Sequence, residues 1–257
     1  MRNLDTPVWS NDGKRICHMG RTVPGADPKT FEVLLGCYAR DAQSVFFGTT
    51  RSQKIDRATF RVLSVHFGVD AQNAYFAHTP IPDADPNSFR VLDSARTPYG
   101  SPGPFGFLTA AYVADANRVW FCSNRISKVK DADPHSFVSL GNRFGRDKDR
   151  LYFEHTAIAG VDRVTWRAWR DALSVDKDNV FFCERKVPGV DRASIALLTV
   201  QNCFMDRNRV YCNGEPISVE EYLKHLKYCE DHCAWEREWL ANGKMFERLL
   251  DEWPQHE

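Results

Sequence analysis

The chain has 257 residues, 34 of them basic and 34 acidic, for a formal net charge of zero. That length supports a sizeable core in one domain or two, and the lack of a basic excess argues against nucleic acid as a partner. No run approaches the roughly eighteen apolar residues of a membrane helix, and the opening MRNLDTPVWSNDGKR carries no apolar export signal, so the expectation is a cytoplasmic protein with no membrane partner.

From Asp12 onward the chain repeats. A leading aspartate recurs at Asp12, Asp41, Asp70, Asp115, Asp147, Asp176 and Asp206, in steps of 29, 29, 45, 32, 29 and 30 residues. A second aspartate follows at Asp27, Asp56, Asp85, Asp133, Asp162 and Asp191. The gap is fifteen residues except in the fourth repeat, where it is eighteen. Two near-constant spacings over six repeats specify a repeat architecture more strongly than any single motif here.

Each repeat opens on a short β-prone run, with an aromatic three residues before the leading aspartate at Trp9, Tyr38, Phe67, Tyr112 and Phe144. The leading carboxylate can accept amides just ahead of it, which predicts a tight turn at Asp41, Asp70, Asp115, Asp147, Asp176 and Asp206. A second strand follows. Pairs such as Val45 and Phe47, or Val180 and Phe182, lie on one face. Phe46, Tyr75, Trp120, Tyr152, Phe181 and Tyr211 make the other face apolar too, so the strand is covered on both sides; core packing is the preferred role for these aromatics, with a binding stripe as the alternative.

The second aspartate sits where a helix N-cap belongs, with Pro28, Pro86 and Pro134 at the first helical position. Apolar residues then fall three apart, as in Phe31 and Leu34, Phe60 and Leu63, or Phe137 and Leu140. This predicts a short helix N-capped by Asp27, Asp56, Asp85, Asp133, Asp162 or Asp191. Strand, turn, strand and helix form a unit too small to bury its own faces, so neighbours must stack.

The period has one large interruption, the 45-residue step from Asp70 to Asp115. It places an insertion loop at about 94–111, a length that is often functional. Its Arg96, Tyr99, Phe105 and Phe107 are candidate partner-binding residues. Beyond Asp206 a longer helix is expected. Ser218 and Glu221 form an S-x-x-E capping box, and Leu223, Leu226, Trp235 and Trp239 suit a helix laid over the end of the array. Asn242-Gly243 reads as its stop, with one more short helix at 244–253.

The expected fold is therefore an α+β repeat protein of six to seven β-hairpin plus short-helix units of about 29 residues. Residues 1–217 form the array and 218–257 a C-terminal helical cap. Unequal ends favour an open curved solenoid, with a closed propeller-like ring as the alternative.

DKDRLYF and DKDNVFF, each followed by an (I/V)xGxD segment, and DRNRVYC resemble the bacterial DKNYY repeat family. The resemblance covers Asp12 to about Ile217 and is closest in the fifth and sixth repeats. It is loosest in the first and third, and it does not reach the C-terminal tail. That family has no established catalytic residues, so the resemblance implies no catalytic site. Its members sometimes occur near secreted polymorphic toxins, which implies an immunity role.

Few other residues suggest chemistry. The Asp147-Lys148-Asp149 and Asp176-Lys177-Asp178 turns resemble calcium loops only in part, lacking the glycine and bidentate glutamate of an EF-hand, and read as structural turns. His225, Cys229 and Cys233 share a helix face that could bind zinc with a further ligand, but one helix rarely closes a tetrahedral site, so no metal or other cofactor is expected. The eight cysteines read as reduced, and Cys122 and Cys183 have one full repeat between them. No G-x-S-x-G elbow, H-E-x-x-H helix or phosphate loop is present. The expected function is a non-enzymatic module that binds and occludes a cognate protein toxin. The alternatives are an enzyme of unrecognised type and a scaffold or envelope-associated repeat protein.

Overall fold

The structure, a computed structural model, describes residues 8–93 and 110–226. Among them the chain folds into seven small antiparallel sheets and one C-terminal helix. The first sheet has three strands, Trp9–Asn11, Ile16–His18 and Arg21–Thr22. The second shows the general pattern of four, Glu32–Leu35, Tyr38–Arg40, Val45–Phe47 and Thr50–Ser52, joined in chain order as a meander. The chain divides into two compact bodies, Met1–Asp149 and Arg150–Glu257.

The central hairpin of each sheet is built around the leading aspartate. In the second sheet Tyr38 pairs with Phe47, Ala39 with Phe46 and Arg40 with Val45. The turn beyond closes with Asp41 N donating to Ser44 O at 2.9 Å. Phe46, Tyr75, Trp120, Tyr152, Phe181 and Tyr211 are all buried, so these aromatics form core and not an exposed stripe.

The predicted short helices are not formed, and the protein is mostly β where α+β was expected. After Asp27, Asp56, Asp85, Asp133 and Asp162 the chain makes a single three-residue turn and then enters a strand. Asp191 alone precedes a helical turn, the 3₁₀ segment Arg192–Ser194. The physical reason is length. A segment this short recovers too few helical hydrogen bonds to offset nucleation, whereas as a strand it pairs at once with the next, as Glu32 does with Arg40 and Val33 with Ala39.

The apolar residue just after the turn has a different task from a helix face. A Cβ on Gly68 would stand 2.5 Å from the Phe60 ring, and one on Gly145 would stand 2.5 Å from Phe137. The ring therefore lies directly on the middle residue of the second strand that follows it.

Successive sheets bond to one another within each body. In the first, Trp9 Nε1 donates to Gly36 O at 2.8 Å and Tyr112 Oη to Arg143 O at 2.8 Å. Tyr38 Oη lies 2.7 Å from Ala77 O and 3.1 Å from His66 O. In the second, Leu173 and Val180 share a core with Phe204 and Tyr211 of the next sheet.

The helix α1, Val219–Leu226, follows the last sheet. Ser218 Oγ accepts from Glu221 N at 3.1 Å, half of the expected capping box. Tyr222 and Leu226 are buried with Cys203, Met205, Val210 and Cys212. Cys203 and Cys212 form a disulfide, which corrects the fully reduced reading; Cys17, Cys37 and Cys122 are free.

Candidate functional site

The second aspartate of one repeat and the leading aspartate of the next belong to one hydrogen-bonded clasp. The leading aspartate receives the turn amides on Oδ1; for Asp70 these come from Gln72 N at 2.9 Å and Asn73 N at 2.8 Å. Its Oδ2 accepts the backbone amide of the preceding second aspartate. This bond joins Asp27 to Asp41, Asp56 to Asp70, Asp85 to Asp115, Asp133 to Asp147, Asp162 to Asp176 and Asp191 to Asp206, at 2.8–3.0 Å.

The second carboxylate closes the circuit through a hydroxyl three residues on. Thr30, Thr59, Ser88, Ser136 and Ser194 each donate to it at 2.6–2.9 Å. The same oxygens accept the amide that follows the leading aspartate, at Ala42, Ala71, Ala116, Lys148 and Arg207, at 3.0–3.1 Å. Thr165 does the same for Lys177 at 3.0 Å. Every sequence-predicted turn and cap aspartate from Asp27 onward is thus placed, and the structure brings them together in pairs.

Burial pushes the Asp70 carboxyl up, but the Tyr75 hydroxyl and the amides of Asp56, Gln72 and Asn73 outweigh it, so its pKa lies below the usual carboxylate value. Asp176 follows the same balance, with the Asp162 amide leading the opposing bonds. The returned effect on the phenol is large. Burial and the Asp206 carboxylate push Tyr211 up to about 12. The Asp70 and Asp176 carboxylates are held in their charged form, and all of the leading carboxylates are occupied by donors, an arrangement that holds backbone in place.

A second feature is different in kind. A groove of about 550 Å³ lies in the first body between the hairpin ends of the third and fourth sheets. One wall is Phe76, Ala77, Thr79, Pro80 and Pro82; the other is Ser123, Asn124, Arg125 and Ile126. Among the described residues the lining is mainly apolar, and Arg125 is the single charged one.

The sequence explains why the groove is here. In the second sheet the central hairpin has three cross-strand pairs, and the next turn, between Phe47 and Thr50, has two residues. In the fourth sheet a further pair, Ala111 with Cys122, lengthens the hairpin, and a three-residue turn separates Cys122 from Ile126. Cys122, its partner Ile126 in the next strand and one residue of the turn account for the eighteen-residue gap between Asp115 and Asp133. The lengthened turn, pinned by Ser123 N donating to Arg125 O at 2.8 Å, forms the second wall. The insertion leaves after Asp93 and returns before Ala111, at this same end of the sheet, because Leu92 N bonds Tyr112 O and Ala111 faces Cys122.

The predicted partner residues Arg96, Tyr99, Phe105 and Phe107 lie outside the described residues, as do Cys229 and Cys233; His225 is exposed on α1. Among the described residues no group of three or more His, Cys, Asp or Glu side chains is placed to hold a metal ion, and no helix is long and apolar enough to cross a membrane. Sequence reasoning missed the Ser/Thr three residues after each second aspartate and the groove itself. The first was visible as a recurring hydroxyl, the second as the eighteen-residue gap.

Fold and site together define a β-repeat protein whose sheets are clasped by paired aspartates and interrupted once beside an apolar groove. No family model, curated protein or solved structure matches the chain.

Proposed function

We propose that this chain is a non-enzymatic binding module that neutralises a cognate bacterial toxin by covering it, with its repeats stacked as an open array of the DKNYY type. The observation that carries the reading is the groove. The array departs from its period in two adjacent repeats, the third and the fourth, and there a lengthened hairpin, the ends of an insertion and an apolar cleft with an arginine come together. Phe76, Pro80, Pro82 and Ile126 suit an apolar side chain of a partner, and Arg125 suits a carboxylate beside it. The clasp supports the same reading, because the most regularly spaced carboxylates are committed to backbone amides.

Co-expression with the product of the adjacent gene tests this directly. The expected result is growth inhibition by that product alone, relief by this chain, and loss of relief for Arg125→Glu in a variant with unchanged circular dichroism. A harmless neighbour, or equal killing with and without this chain, overturns it.

The Cys203–Cys212 disulfide favours a second reading, an envelope-associated scaffold. Cell fractionation with thiol labelling separates the two: a cytoplasmic protein found there with these cysteines reduced removes the scaffold reading.

A further inference from the structure

The register site that holds Cys203 and Cys212 takes two bulky side chains in other sheets. Tyr38 faces Phe47, Phe67 faces Phe76 and Leu173 faces Phe182. In the seventh sheet Cys203 faces Cys212. Two cysteines fill far less space than two rings, and α1 supplies the difference. Tyr222 and Leu226, both fully buried, complete the cluster around the pair, and α1 packs on the strand that carries Cys212. Cysteine replacement and helix cover therefore occur together, in one sheet.

The pair is well placed for exchange chemistry. Asn213 N bonds Asn202 O at 3.1 Å and Asp206 N bonds Arg209 O at 3.0 Å. By the alternation of an antiparallel ladder, these bonds leave Cys203 and Cys212 at a non-hydrogen-bonded site, where side chains approach most closely. Their Cα atoms are 4.2 Å apart. A crosslink over nine residues restrains the unfolded chain less than one that closes a longer loop. A purely stabilising role leaves the helix cover unexplained.

We propose that Cys203 and Cys212 are a thiol–disulfide switch whose state sets how firmly α1 is docked on the seventh sheet. A thiolate of a dithiol reductant attacks one sulfur. The S–S bond breaks, a mixed disulfide forms, and the other cysteine leaves as a thiolate and takes a proton. The second thiol of the reductant then displaces the protein sulfur. Two electrons and two protons pass to the protein, and the reductant ends as its disulfide.

Reduction replaces a covalent contact by a van der Waals one, so the sulfurs need about 1.5 Å more separation. That expansion takes place in a close-packed cluster beneath Tyr222 and Leu226, and it presses on the helix. Access works in the same direction. Cys203 is 2% exposed, so a reductant reaches it when α1 opens. Opening and reduction therefore favour each other.

The test uses the full chain in buffers poised with oxidised or reduced dithiothreitol, with the state of the pair read by alkylation and mass spectrometry. Amide hydrogen exchange of Tyr222–Leu226 is followed beside that of Val45–Phe47. The expected result is α1 exchange at least about tenfold faster in the reduced protein, with the reference strand unchanged. In a Cys203→Ala/Cys212→Ala variant, α1 should lose its dependence on the buffer. Equal α1 exchange in both states, an increase shared by Val45–Phe47, or a pair that stays reduced in oxidised dithiothreitol overturns the proposal. If the double variant does not fold, the wild-type comparison still decides.

Discussion

Asp70→Asn isolates the clasp with almost no change of shape. The native carboxylate accepts Gln72 N and Asn73 N on Oδ1, and Asp56 N at 2.9 Å and Tyr75 Oη at 2.6 Å on Oδ2. Asparagine keeps the Oδ1 acceptor, so the turn itself should survive. Its amide nitrogen, however, is a donor set against two donors. Tyr75 can redirect its proton to Lys54 O, 2.9 Å away; the Asp56 amide has no comparable recourse. A lost bond to a charged acceptor and a poorly satisfied amide together amount to about 2–4 kcal/mol. Asp12→Asn is the control. Asp12 is exposed and, among the described residues, its Oδ2 meets only Arg15 Nε at 3.1 Å, with no amide like that of Asp56, so its effect should be much smaller. Urea unfolding by circular dichroism gives the midpoints, and hydrogen exchange of the Asp56 amide reports the lost bond locally. The pH dependence has a defined sign. The folded pKa of Asp70 is depressed, so its contribution is complete above its unfolded value near 4 and lost as pH falls through the folded one. Asp70→Asn should therefore also flatten the acid limb of the stability curve. Equal midpoints for Asp70→Asn and Asp12→Asn would refute the clasp as a stabilising element.

Three other outcomes follow from the same geometry. Ser88→Ala removes the hydroxyl that donates to Asp85 Oδ2 at 2.6 Å and accepts Ala116 N at 3.1 Å, and should lower stability by about 1 kcal/mol, with Ser88→Thr restoring it, as urea midpoints will show. Gly145→Ala brings a methyl within 2.5 Å of Phe137 and 3.1 Å of the buried Tyr112, and should destabilise by about 1–3 kcal/mol; a compensating Phe137→Leu change should recover much of that loss. His18 Nε2 and His66 Nδ1 are buried without a partner, and burial lowers both pKa values. A base with a depressed folded pKa stabilises the fold fully above about 6.5 and progressively less below it, so urea midpoints should fall between about pH 7 and 5.5 in wild type and fall less in His66→Phe.

The turns and strands were legible because each leading aspartate stands between two apolar runs of period two, and nothing but a hairpin buries both. The second aspartate misled for an equally physical reason. Asp27-Pro28 begins a helix or a turn with the same backbone angle, since proline fixes φ for either. What distinguishes them is the partner of the carboxylate. Thr30, Thr59, Ser88, Ser136, Thr165 and Ser194 recur three residues on, and a helix has no use for a hydroxyl there at every repeat. The spacing of three from Phe60 to Leu63 likewise mimics a helix face, yet its meaning emerges only with the next strand. Phe60 requires Gly68, Phe137 requires Gly145, and where the plug shrinks to Ile195 the facing strand residue grows to Phe204. That exchange of volume spans strands and escapes any reading confined to one element. The Cys203–Cys212 pair was also within reach, because one cysteine precedes Asp206 by three residues and the other follows it by six, the offsets at which Tyr38 and Phe47 face each other around Asp41.

The two irregular spacings bear on function more than the regular ones. A repeat maintained only for packing gains nothing from an extra rung in one hairpin. The rung carries Ala111 and Cys122 further along the sheet than the corresponding residues elsewhere, and the longer turn sets Arg125 beyond the end of the hairpin. Both changes extend the sheet toward the end where Pro80 and Pro82 stand, and the insertion opens there as well. Phe76 and Ile126 then remain along a groove whose polar content is small, a surface that water covers poorly and an apolar side chain covers well. Shortening the fourth sheet to the standard length, by deleting Cys122, Ile126 and one residue of the Ser123–Arg125 turn, should remove the second wall while leaving Asp115 and its clasp to Asp85 intact. If the shortened protein folds and relieves toxicity as well as wild type, the groove is not the binding surface and the rung needs another explanation.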